Sequence, residues 1–162
     1  MSFFRYILVL TLVFWIGGII FFAFVEAPAA FAVIPARNLA GNVVARSINS
    51  LHWMGIICGL IFLLASFIYA YLSTGGTHPF AARNILIVIM LVLTLISQFG
   101  IIPRMDSLRA SIGTIDSVPP SNPARMQFDA LHVWSTRVEG AVLLLGLALI
   151  YLTAQQLATG ER

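Results

Sequence analysis

The run LHWMGIICGLIFLLASFIYAYL, residues 51–72, contains no charged side chain from end to end. Crossing the hydrocarbon core of a bilayer as a helix takes about 20 mostly apolar residues, so this run alone is long enough to span a membrane. A helix also satisfies every backbone N–H and C=O inside the segment, which lipid demands. Extended back to Ser50, the stretch Ser50 to Leu72 has three companions of the same kind: Phe3 to Val25, Ile85 to Ile102 and Val133 to Leu152. The expected fold class is therefore all-α, an integral membrane four-helix bundle forming one four-span domain over residues 1–162.

Composition agrees. Of 162 residues, 60% are hydrophobic and 9% charged, against roughly 25% charged in an ordinary soluble domain. The nine basic residues are all Arg, and the net charge of +3 is scattered along the chain, too thin and dispersed for nucleic-acid binding. The first apolar run has Arg5 before it and APAA after it like a signal peptide, but it exceeds the roughly 7–15 residues of a signal core, so it is taken as a span. Cys58 stands alone inside an apolar run and can form no intrachain disulfide. No C-x-x-C, H-E-x-x-H, P-loop or nucleophile elbow is present, so no soluble-enzyme chemistry is signalled.

Between the spans lie a loop over residues 26–49, a short turn STGGTHPF over residues 73–80 and a longer loop from Pro103 to Gln127. The short turn makes spans two and three antiparallel neighbours. Leu39, Val43 and Val44 in the first loop fall on one face of a short interfacial helix, while Pro28 and Pro103 are expected to end their spans. Loops one and three carry Arg37, Arg46, Arg104, Arg109 and Arg125, against Arg5, Arg83 and Arg162 on the side of the termini. The positive-inside rule then places loops one and three in the cytoplasm. Each half of the chain also repeats one plan: a span, a Pro, a basic loop, and a new span opening with Leu-His at Leu51-His52 and Leu131-His132. Two-span halves of equal orientation make a parallel repeat about an axis along the membrane normal.

Polar side chains within spans are costly and face the bundle interior or water. Glu26, His52, Gln98, His132 and Glu139 all fall toward the loop-one and loop-three side. In the fourth span Asp129, His132, Ser135 with Thr136, and Glu139 follow i, i+3, i+4, i+7 spacing and share a stripe. His52, Gly55 and Gly59 form a small-residue track that admits a close helix neighbour or a flat ligand. Thr94 and Gln98 share a face of span three, and Trp15, Gly18 and Phe22 lead toward Glu26. Arg137 points about 200° away from Glu139 and is assigned Glu26 as an ion-pair partner.

Imidazole is both a metal ligand and a proton carrier. His52 and His132 with Glu26 and Glu139 form a candidate copper or zinc site. His52 and His132 with Gly55, Gly59, and Arg104 or Arg137 for the propionates form a candidate haem site. A proton or small-solute pathway through His132 and Glu139 is a third use. An accessory subunit of a larger membrane complex, or a homo-oligomer, would use the same groups only to hold helices together. In each case the lipid bilayer is the first partner.

The motifs FWIGGIIFFAFVEAPAAF (residues 14–31), LHWMGIICG (51–59), QFGIIPRMDSLR (98–109) and FDALHVWSTRVEGAVLLLGL (128–147) together resemble bacterial members of the transmembrane protein 205-like family, a domain of unknown function. That family is distantly similar in layout to the copper-resistance protein D membrane domain. The resemblance implies four helices in a bacterial inner membrane and draws attention to Trp15, Gly17, Gly18, Pro28, His52, Pro103, Arg104, Met105, His132 and Ser135. It also implies metal or haem chemistry, although this chain has no Met-rich or Cys-rich copper track.

Overall fold

The computed structural model describes residues 2–159, so Met1 and Arg162 lie outside the described residues. Within them the chain is all-helical, with no strand. We number four long helices: α1 Ser2–Val33, α2 Arg37–Thr74, α3 Ala82–Ile112 and α4 Pro123–Thr159. Each contains a stretch long and apolar enough to cross a membrane. At 1.5 Å per residue they measure roughly 46 to 57 Å, well beyond the ~30 Å hydrocarbon core, so each projects past the apolar layer.

The extra length lies where loops are expected. Residues 37–49 are the first turns of α2, and α3 runs ten residues past Ile102 to Ile112. Pro28 and Pro103 do not end their helices. Each follows a π-helical turn, Phe22–Glu26 and Ser97–Ile101, in which the closing N–H reaches back five residues, Ala27 to Phe22 and Ile102 to Ser97. A proline inside an α-helix loses a hydrogen bond and collides with the carbonyl four residues earlier. The wider turn carries that carbonyl, of Phe24 or Phe99, away from the ring, and the helix continues.

The helices pack in a ring: α1 on α2, α2 on α3, α3 on α4 and α4 on α1. That sets α2 opposite α4 and α1 opposite α3. Trp15, Ile16 and Ile19 of α1, Phe62 of α2, Ile87 and Met90 of α3 and Val142 and Leu149 of α4 fill the centre, each 1% exposed or less. Outward, Phe14, Phe21, Leu64, Val88, Ile96 and Leu144 present an apolar coat, the surface a lipid solvent requires. Close approach needs small residues: a Cβ on Gly146 would strike Ile16 and Met90, and one on Gly59 would strike Leu91 and Trp15.

Backbone and burial features of the two halves coincide at fixed sequence offsets. The π turn Phe22–Glu26 recurs 75 residues later as Ser97–Ile101, and Pro28 as Pro103. At that offset the buried positions Leu12, Trp15, Ile16 and Ile19 meet Ile87, Met90, Leu91 and Thr94, all buried. The second helices of each half match at an offset of 87: Ile48 with Ser135, Gly55 with Val142, Gly59 with Gly146, Phe62 with Leu149 and Ser66 with Thr153, again all buried. The Leu-His echo in the sequence implies an offset of 80. The structural offset differs by seven residues, two helical turns, which preserves the face but changes the depth. His52 therefore corresponds to Glu139, not to His132.

The α2–α3 turn opens at Gly75, whose φ of 75° lies in the left-handed region while its N–H caps Tyr71 O. Gly75→Ala is expected to lower stability by about 1 kcal/mol, the left-handed cost for a side-chain-bearing residue, read as a lower thermal midpoint in detergent; an unchanged midpoint would show that the turn relaxes.

Candidate functional site

α2 crosses the loop-side half of the bundle with His52 directed at its centre, 1% exposed. One ring nitrogen, Nε2, stands 3.1 Å from Glu139 Oε2 on α4, the opposite helix of the ring; the Glu139 side chain is 13% exposed. The other, Nδ1, stands 3.0 Å from Gln98 Oε1 on α3. Gln98 Nε2 in turn donates to Asn49 Oδ1, one turn before His52 on α2. Gln98 reaches this position from the π turn of α3, and Thr94, buried one turn away, lies beneath it. The result is a hydrogen-bonded chain, Asn49–Gln98–His52–Glu139, tying three helices together. The pair related by the 87-residue offset, a base and an acid, meets at its end.

α1 supplies the floor. The Trp15 indole lies across Gly55 and Gly59, where a Cβ would collide with it, so the small-residue track beside His52 is filled by this chain's own flat side chain. Phe62, Met90, Ile16 and Leu149 join Trp15 in an apolar layer, each 1% exposed or less. Above it, toward the loops, Ser47 Oγ donates to Glu26 Oε1 at 2.8 Å, and the second carboxylate oxygen of Glu26 is buried without a hydrogen bond.

The remaining expected site residues are placed elsewhere. His132 is exposed and stacks on Phe128, with ring centroids 6.4 Å apart and planes 4° from parallel. It lies seven residues, about 10 Å, beyond Glu139 along α4. The anticipated α4 stripe divides: Ser135 and Glu139 turn inward, while Asp129, His132 and Thr136 are exposed, Asp129 facing Arg125 at 4.0 Å and Thr136 donating to His132 O. Arg137 does not pair with Glu26; its guanidinium sits 5.4 Å over the Trp134 ring on the outer face. Arg104 is exposed on α3.

One cause accounts for these departures. Toward the loops the end of α1 packs on α2 and the end of α3 on α4, and of the second pair's link the turn at residues 115–117 also touches α2. Groups on different pairs, such as Glu26 and Arg137 or His52 and His132, part company there.

A haem does not fit these residues, because the two His do not face a common space and the Gly55–Gly59 surface is covered. A metal ion fits little better: both ring nitrogens of His52 are committed, and among the described residues no three of His, Cys, Asp and Glu stand close enough to hold one. Asn49 and Ser47 were not anticipated as site residues. Their signal was spacing: once α2 is extended back to Arg37, Asn49 falls three residues before His52, on its face.

Residues 10–113 match the model of the family described as domain of unknown function (DUF4149), and the chain belongs to that family. No curated protein and no solved structure matches the chain. The matched region carries Trp15, Glu26, Asn49, His52 and Gln98; Glu139 lies beyond it.

Proposed function

We propose that this member of the family is a membrane protein that takes up and releases a proton at the His52–Glu139 pair, reached from the side of loops one and three. The observation that carries this reading is a buried imidazole held through both nitrogens, between a carboxylate and a chain of two amides. With the amides as placed, Nδ1–H donates to Gln98, one proton lies between Nε2 and the Glu139 carboxylate, and the pair as a whole is net neutral. When one proton leaves Nδ1, turning over the two amides lets Gln98 NH₂ donate to Nδ1 and Asn49 NH₂ donate to Gln98 Oε1. Amide oxygen and nitrogen are nearly isosteric. Both His52 ring nitrogens and the facing amide groups of Gln98 and Asn49 therefore keep a partner in both states.

Access is one-sided in this reading. Glu26, Ser47, Asn49 and Gln98 lie at or above the pair, and the Trp15 layer lies below. The arginines of loops one and three favour the cytoplasm for that side, in a bacterial inner membrane as the resemblance to the transmembrane protein 205-like family implies. The copper or haem chemistry of that resemblance draws no support from the geometry of His52 and His132.

Nitrogen-15 histidine NMR of the full chain in detergent tests this. Over a pH series the His52 ring is expected to exchange between doubly and singly protonated forms, and Glu139→Gln to alter that exchange. His132, exposed in the same sample, serves as reference. A His52 ring locked in one protonation state throughout would mean that the pair only clamps helices, the role of an accessory subunit.

A further inference from the structure

The internal repeat provides a comparison within one chain. Where α3 and α4 leave the bundle, a groove of about 380 Å³ opens between them, with Leu108 and Leu131 on its walls and Arg104, Ser107 and Gln127 at its rim. The same place in the first half, by the offsets established above, holds Val33 and Val44 on the walls and Ala29, Ala32 and Ala40 at the rim, and Ala40 is fully buried. Both halves share the preceding proline and the apolar walls. Only the second carries polar side chains at its rim.

We infer that this groove binds the phosphate of an anionic phospholipid, with Arg104 supplying the charge and Ser107 and Gln127 supplying neutral hydrogen bonds. Depth favours a lipid. From Leu72 back to His52, α2 rises about 30 Å, the thickness of the hydrocarbon core, which puts His52 and Gln98 at its loop-side edge. Arg104 lies six residues past Gln98, about 9 Å further out, in the headgroup layer. The neighbouring basic groups are engaged: Arg109 with Asp106 and the Phe128 ring, Arg125 with Ile115 O and Val118 O. The Arg104 guanidinium is left to face the groove. Phosphate oxygens suit such a fork and two neutral donors, and basic pockets between spanning helices take anionic headgroups. A volume of 380 Å³, at the small end of ligand sites, suits a headgroup while the acyl chains run down the outer apolar face.

The test uses native mass spectrometry of the full chain in neutral detergent, offered equal phosphatidylglycerol and phosphatidylcholine of the same acyl chains. Preferential binding of phosphatidylglycerol is expected, reduced roughly tenfold in Arg104→Gln, the loss of one charge-assisted contact, and partly kept in Arg104→Lys. Arg137→Gln, on the outer face over Trp134, is expected to keep the full preference. Equal binding of the two lipids, or a preference unchanged in Arg104→Gln, overturns the proposal. Displacement of the lipid by excess inorganic phosphate overturns it too, in favour of a soluble-phosphate site. Arg104 is exposed, so its variants should fold, and a matching thermal midpoint verifies this.

Discussion

His52→Ala is expected to destabilise the bundle by about 3–5 kcal/mol, the range for removing one partner of a buried charged pair. The substitution leaves the Glu139 carboxylate facing the bundle centre without its base, and it strips Gln98 of the group that anchors its oxygen. Glu139→Gln is expected to cost less, because an amide oxygen can still accept from Nε2–H. The repeat adds a sharper arm. Since His52 and Glu139 face each other at 3.1 Å and match at the 87-residue offset, the exchanged double variant His52→Glu with Glu139→His should recover much of the stability that either single exchange loses. Unfolding in mixed detergent micelles, followed by tryptophan fluorescence, measures all five variants. Additive losses in the double variant would show that the pairing is not the source of the effect.

Trp15→Ala is expected to cost about 3–5 kcal/mol, as for other large buried aromatics. Trp15 is 1% exposed and heads the largest fully buried side chains of the core. The three nearest atoms that a Cβ on Gly55 would meet all belong to its indole, which sets the two positions directly against each other. Gly55→Ala alone should overpack the site and cost about 1–3 kcal/mol. In the Trp15→Ala background the same methyl enters vacated space and should be neutral or stabilising. The coupling between them is expected within 0.5–3 kcal/mol. Independent effects would place the indole elsewhere than against Gly55.

The four apolar runs specify the helices, because a bilayer leaves few other ways to satisfy the backbone, and their lengths could be read directly. The ends could not. Pro28 and Pro103 read as stops by the ordinary rule, and only the π turns before them, a property of backbone geometry rather than residue type, let the helices continue. Starting span two where its apolar run begins, at Ser50, hid Asn49 and Ser47 in a loop. It also made Arg37 and Arg46 loop residues when they lie in the first turns of α2.

The polar site was half legible. His52, Gln98 and Glu139 stand out because polar groups in an apolar span must find one another, and in the structure these three do. His132 shares the face of Glu139 to within about 20° of rotation, so helical periodicity could not separate them. Two turns of depth do.

The sequence by itself thus determined the class of solvent, the number of helices and the existence of a two-part plan, all consequences of hydrophobicity summed over twenty residues at a time. Which polar groups meet was decided by the tertiary structure alone. Packing around Gly59 and Gly146 sets the helices in register to within a turn, and a histidine finds an acid or misses it by that margin.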